Sequence, residues 1–273
     1  MTGIDDPRFR RAVRRLEVPQ MGTEVVAPLL GQLVGLLRPR HVLEVGMGYT
    51  TPFLAAALAR LRQRVGPESA GLARKSRPYL AGGAELDEDW LHADPPLLDP
   101  AFYLRPYDPR LVAVDNLSIA GSSAAQVCQL LDELGLADLV TVVNADLRDS
   151  IGLLPPGFTP IDFAWVDAWE CLYFFDHFWE LIDPAGGVVV MHYLMTYPEG
   201  EAILDYFRKV QRANPGELEV ISLLELHKLT QNSLTMLRRT AAGPRPAHAL
   251  PGGRLRYGEP LRTAAAAQAA TQT

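Results

Sequence analysis

Short apolar runs alternate with amphipathic stretches through most of this chain, which is the pattern of strands interleaved with helices. Helices are predicted over 7–18, with Phe9, Val13 and Leu16 on one side, and over 22–37, where Val25, Val26, Leu29, Leu33, Leu36 and Leu37 recur at three-to-four spacing. Arg38-Pro39-Arg40 punctuates the entry to a first strand, 41–45, and a helix follows over 51–59. Further strands are predicted at 111–115, 139–144, 161–167 and 187–192, with helices over 122–134, 171–181 and 199–212 between or after them. The rhythm then changes. Residues 217–225 and 231–238 read as two strands with no helix between them, so an antiparallel hairpin closes the sheet. The order gives an α/β fold built on a mostly parallel sheet of seven strands.

The first strand ends in an acid and opens into a glycine turn, Glu44-Val-Gly-Met-Gly-Tyr-Thr50. A strand that passes through a small-residue loop onto a helix makes a ligand crevice at the carboxyl end of a parallel sheet. Gly46 and Gly48 let the backbone turn tightly and approach a ligand. A dinucleotide site would continue to a third glycine, Gly-x-Gly-x-x-Gly, but Tyr49, Thr50 and Thr51 stand there instead. A nicotinamide dehydrogenase is therefore disfavoured. Glu44 suits a ligand bearing a cation and hydroxyl groups better than it suits a pyrophosphate. Any strand-turn-helix of an α/β domain would share part of this pattern, and the strand ends downstream are what distinguish it.

Composition narrows the setting. The 273 residues, 48% hydrophobic and 21% charged, are ordinary for a globular α/β domain with one elaboration. A formal charge of −6 argues against a nucleic-acid partner, because phosphate contacts need basic surface. No apolar run reaches membrane length and the N-terminus is no signal peptide, so a cytoplasmic protein without a membrane partner is expected. Cys128 and Cys171 lack any Cys-x-x-Cys spacing and read as buried small hydrophobes.

The Glu-x-Gly-x-Gly turn, with five strand-helix units and a closing hairpin, resembles the class I S-adenosylmethionine (SAM) methyltransferases. The resemblance covers about 22–239 and implies a Rossmann-like fold with SAM as co-substrate. It implies cofactor contacts from Glu44, Gly46, Gly48, Tyr49 and Thr50 on the loop, and from Asp115 with Asn116 after strand two, where an acid accepts the ribose hydroxyls. It places Asn144 and Asp146 after strand three beside the adenine, and Asp167 after strand four near the reacting carbon. Each acid alone could be a strand-end cap of the next helix; three in the expected order are harder to dismiss. Some relatives hold magnesium with an acid after strand four and another after strand five. Here His192-Tyr193 occupies the second place, and imidazole is a poor magnesium ligand, so no metal is expected. His192, with Asp167, is the candidate catalytic pair, the histidine as a general base or else as a core residue bonded to backbone. His41, His177 and His227 read as structural. Trp165, Trp169, Tyr173, Phe174, Tyr193 and Tyr197 crowd the same region. Of these Trp169, Tyr173, Tyr193 and Tyr197 are candidates to line the acceptor, since a ring face attracts a sulfonium.

Asp115 follows Glu44 by 71 positions, where a plain strand-helix-strand unit would need about 20. About 45 residues, roughly 64–108, are therefore an insertion. Its aromatic residues make a lid over the site the expectation, with Tyr103 and Tyr107 as further acceptor contacts; a surface excursion is the plainer alternative. The expected organisation is N-terminal covering helices over 1–40, the SAM-binding domain over 41–240, and a disordered low-complexity tail over 241–273. The segments 44–53 and 103–118 are also similar to a branch of SAM enzymes that includes isonocardicin synthase and azetidine-2-carboxylate synthases. That branch uses the 3-amino-3-carboxypropyl group and releases methylthioadenosine. The resemblance thus implies aminocarboxypropyl transfer to an acceptor oxygen such as a phenol, in natural-product (antibiotic) biosynthesis. O- or N-methyl transfer and cyclisation of SAM itself are the alternatives. A non-catalytic partner subunit is the rival from another class. A small-molecule acceptor is the expected partner, and a homodimer the assembly left open.

Overall fold

The computed structural model describes residues 4, 6–19, 21–83, 86–229, 232–241 and 259–272. The chain divides into two compact units: residues 1–60 with 109–243, and residues 61–108 with 244–273.

The first unit opens with helices α1 (Pro7–Val13) and α2 (Thr23–Leu37), followed by β1 (His41–Val45) and the start of α3 (Thr51–Ala81). After a short helix of the second unit, α4 (Glu88–His92), the first unit resumes with β2 (Arg110–Asp115), α5 (Ala124–Leu134) and β3 (Val140–Asn144). It continues through α6 (Leu147–Ser150), β4 (Phe163–Val166), α7 (Cys171–Phe178), β5 (Val188–His192) and α8 (Gly200–Ala213) to the hairpin β6 (Leu218–Leu224) and β7 (Ser233–Arg239). The seven strands lie in the order β3-β2-β1-β4-β5-β7-β6. The first five are parallel, and β7 is antiparallel to both β5 and β6. The predicted α/β fold and its closing hairpin are thus present.

Strand order reverses between β1 and β4, and at such a switch point the flanking connections leave toward opposite faces. Strand alternation decides what each face holds. Leu43 and Val45 of β1 join Val112, Val114, Ala164, Val166, Phe174, Phe178 and Phe207 in one core layer. Val42 and Glu44 point the other way, and Glu44 is fully buried. Register sets Val45 level with Val114 and Val166, and Asp115 level with Asn144, so these strands end along one line.

The second unit differs from the expectation for the insertion and the tail. The first helix does not stop at 59: α3 runs to Ala81, through Pro67 and Pro78. The insertion is largely helical, and Val65, Leu72, Leu86, Trp90, Leu91, Tyr103 and Ala265 form a core of their own. The tail expected to be disordered contains a helix, α9 (Glu259–Ala270), with Ala265 and Gln268 buried. Gln268 Nε2 donates to the Ser69 carbonyl and hydroxyl oxygens at 2.9 Å. An Ala-rich run is a strong helix former, and here a few buried contacts suffice to hold it. Residues 242–258 of that expected tail lie outside the described residues.

Candidate active site at the strand ends

The β1–α3 loop is fixed from beneath and from the side. Glu44, the penultimate residue of β1, accepts from the Thr50 hydroxyl at 2.6 Å. Its other oxygen, Oε2, is buried without a hydrogen-bond partner among the described residues. Loss of solvent pushes its pKa up to about 8, against the opposing pull of the Thr50 and Thr51 hydroxyls, and Asp167 and Asp115 add to the rise. At neutral pH Glu44 is therefore mostly a neutral acid. It braces the loop from within and presents no surface to a ligand, which corrects the picture of a carboxylate facing a cation.

Asp115 braces the loop from β2: its Oδ2 accepts from the Met47 amide at 2.7 Å, and its Oδ1 from Ser122 Oγ at 3.3 Å. Ser123 Oγ donates to the Met47 carbonyl at 3.1 Å, and the Gly48 amide donates to Thr51 Oγ1 at 3.0 Å. Ser122 and Ser123 were not singled out in the sequence, where hydroxyl residues in loops carry no distinguishing signal. Gly46 has φ +90°, and a Cβ there would lie 2.7 Å from the Asp167 carbonyl oxygen. Only glycine lets the ends of β1 and β4 come this close. Gly48 differs, because the nearest atom to a Cβ there would be Ser123 Oγ at 3.9 Å.

On the β2 and β3 side, Asn116 Nδ2 donates to Asp146 Oδ1 at 2.9 Å, and Asn144 Oδ1 accepts from the Leu117 amide at 3.0 Å. Asn144 and Asp146 are exposed. Asn116, Asn144 and Asp146, with Asp115, form the row expected from the strand ends.

On the β4 and β5 side, half-buried Asp167 accepts at Oδ1 from His192 Nδ1, 2.9 Å away. His192 Nε2 lies 3.3 Å from Asn232 Oδ1, and Asn232 Nδ2 donates to Glu225 Oε2 at 2.8 Å. Both ring nitrogens are engaged and the ring is buried. His192 is thus poorly placed to take a proton from an acceptor directly; it holds Asp167 instead. Asn232 and Glu225 went unnoticed in the sequence because they sit on the closing hairpin, far from every motif. Tyr193 adopts φ +64°, stacks on His192 with centroids 3.5 Å apart, and donates its hydroxyl to the Met21 carbonyl. A left-handed aromatic residue is costly, and such strain collects where surroundings overdetermine the backbone.

The remaining aromatic candidates are scattered. Trp169 is 75% exposed and meets Tyr197 edge-on at 5.1 Å. The Tyr197 hydroxyl is buried without a hydrogen-bond partner among the described residues, and desolvation pushes its pKa up to about 12. Tyr173 stacks on His177 and donates to the Arg148 carbonyl at 3.2 Å. Tyr103 and Tyr107 belong to the second unit: Tyr103 is a core residue there, donating to Glu68 Oε2 at 2.9 Å, and Tyr107 packs on Phe102. Packing within that unit engages both rings. Among the described residues, no group of three or more His, Cys, Asp and Glu side chains is placed to hold a metal ion.

No family model matches this sequence, and no curated protein matches it. Solved structures do. The O-methyltransferase TomG from Streptomyces achromogenes, involved in tomaymycin synthesis and solved with SAM, superposes with a TM-score of 0.54 at 21% identity, covering 84% of this chain and 86% of that one. An O-methyltransferase from Bacillus cereus, solved with S-adenosylhomocysteine (SAH), superposes with a TM-score of 0.54 at 16% identity, covering 85% of this chain and 88% of that one. The fold is that of the SAM methyltransferases. At these identities the likeness establishes architecture, and it puts the braced loop and the row of polar strand ends on a SAM methyltransferase scaffold.

Proposed function

We propose that this chain is a SAM-dependent transferase acting on a small molecule, and that it moves the methyl group of SAM to an oxygen. The observation that carries the reading is the row Asp115, Asn116, Asn144 and Asp146 beside a loop braced by Glu44, in a fold shared with two proteins named as O-methyltransferases. Aminocarboxypropyl transfer finds no support among those neighbours; it is kept as the second reading by the resemblance of residues 44–53 and 103–118.

The residues present fit the co-substrate. Gly48 leaves open space over the loop where a side chain would stand. Carboxylates and amides at the ends of β2 and β3 are acceptors for ribose hydroxyls and an adenine amine. Bound there, SAM would supply an electrophilic carbon on a positively charged sulfur. Asp167 would receive the proton of the attacking hydroxyl, and His192, itself held by Asn232, would keep the carboxylate aimed. Catalysis then rests on orientation of one oxygen and one carbon in line, the main lever for a displacement of this kind. We take the setting to be natural-product biosynthesis in the cytoplasm, with no nucleic-acid or membrane partner. Among the described residues no helix is long and apolar enough to cross a membrane. Homodimerisation stays part of the proposal.

The test is chemical. Purified protein is incubated with SAM and a small-molecule extract, and the nucleoside released is identified by mass spectrometry. SAH is expected; methylthioadenosine would replace methyl transfer with the second reading. Calorimetry should show SAM binding that Asp115→Ala weakens roughly tenfold or more, the range for a lost hydrogen bond to a charged group. Undiminished binding by that variant would remove the assignment of the site.

A further inference from the structure

A cavity of about 390 Å³ in the first unit has none of the strand-end carboxylates in its lining. Its lining includes Arg10, Arg14, Arg60, Glu17, Tyr49 and Phe53. The volume falls in the range that encloses a small organic ligand. Its walls come from α1 and the turn after it, from α2, and from the first turns of α3. Three arginines and one glutamate therefore share the lining, in a protein whose formal charge is −6. The Arg60 guanidinium lies over α2, where a Cβ at Gly35 would come 3.6 Å from its Nη2. Two aromatic residues also line it, Tyr49 and Phe53, with ring centroids 5.2 Å apart, and buried Phe9 meets Phe53 edge-on at 5.0 Å. Tyr49 is the link to the site described above, since it stands on the β1–α3 loop next to Gly48.

We propose that this cavity is an anion subsite for the acceptor: a carboxylate lies between Arg14 and Arg60, and an aromatic body lies against Tyr49 and Phe53. Guanidinium forks match a planar carboxylate, and a flat ring stacks on the tyrosine and phenylalanine faces. Glu17 opposes the anion and sets an upper limit on its affinity. The inference rests on the transferase reading only in naming the anion an acceptor; binding itself can be measured without SAM.

The probe is 4-hydroxybenzoate, compared with 4-hydroxybenzamide, titrated by calorimetry into the full chain without SAM. The acid is expected to bind roughly tenfold or more tightly than the amide, as for a hydrogen-bonded charge. Arg14→Gln and Arg60→Gln should each weaken the acid by about the same factor, while Arg14→Lys recovers part of the loss. Glu17→Gln should tighten it. SAM affinity, titrated separately, should be unchanged in all four variants. Equal binding of acid and amide, wild-type affinity in the Arg14→Gln/Arg60→Gln double variant, or no binding of the acid to the parent protein would each overturn the subsite. SAM binding that survives such a result leaves the transferase reading standing. Binding of the acid without SAM binding defeats that reading alone.

Discussion

Glu44 and Lys75, buried ionisable groups of different units, are treated in opposite ways. Lys75, in the second unit, donates to the carbonyls of Leu91, Ala93 and Pro95 at 3.4, 3.0 and 2.6 Å and sits 4.6 Å above the Trp90 ring. An ammonium has three protons, and all three are used. Glu44, in the first unit, has one oxygen bonded to Thr50 and the other bonded to nothing among the described residues. A fully satisfied buried charge ties chain segments together; a half-satisfied acid is driven to its neutral form and leaves an unpaired polar atom whose cost the fold must carry. The cost sits under the loop where the co-substrate is proposed to bind. The fully satisfied group sits in the second unit, beside the buried Trp90 ring of that unit's own core.

The sharpest way to break this contrast is pH. The folded pKa of Glu44, about 8, lies above its ordinary value of 4.5, so the folded protein holds the proton more tightly than the unfolded chain. The associated stability is complete below about pH 4.5 and is lost as pH rises through 8, at roughly 1.4 kcal/mol per pH unit inside that window. Glu44→Gln cannot lose a proton. The difference in unfolding free energy between variant and parent should therefore grow in the variant's favour by on the order of 3 kcal/mol between pH 5 and 8, read from urea titrations. A constant difference would mean Glu44 is ionised in the folded state. Next in size is Lys75→Met, which keeps the stem and strands three carbonyls; a loss of about 2–3 kcal/mol is expected by the same titrations. No loss would make the carbonyl cage incidental.

Smaller effects refine the comparison. Asn232→Ala leaves His192 Nε2 without its partner and should cost about 1–2 kcal/mol in stability, with a larger fractional loss in turnover than in SAM affinity if Asp167 is aimed through that histidine. Tyr173→Phe removes only an exposed bond to the Arg148 carbonyl and should lie within about 0.5 kcal/mol of the parent. A larger change there would give Tyr173 a role in the site.

Periodicity made the sheet legible: every predicted strand of the first unit forms within about two residues of its expected bounds, because buried parallel strands are short apolar runs that little else mimics. The acids at the ends of β1, β2 and β4 were legible for the same reason, since a strand's end fixes where its last side chain goes. What each acid does was not. Glu44 and Asp115 differ in role through Thr50, Met47 and burial, which no spacing encodes. Helix α3 continues beyond 59 through Pro67 and Pro78, residues that ordinarily end a helix, so local sequence gives no sign of its length. Asn232 and Glu225 reach the site only because β7 inserts between β5 and β6, an order that local sequence does not specify.

The two glycines of the β1–α3 loop leave unequal room for change. At position 46 even a methyl group would collide with a backbone oxygen that cannot step aside, so a substitution there would prise two neighbouring strands apart. At 48 the same methyl would touch only a serine hydroxyl at ordinary distance. An engineer wishing to reshape the mouth of this crevice, or to favour one carbon of a bound sulfonium over another, has a single tolerant foothold in that turn, and it is the second glycine.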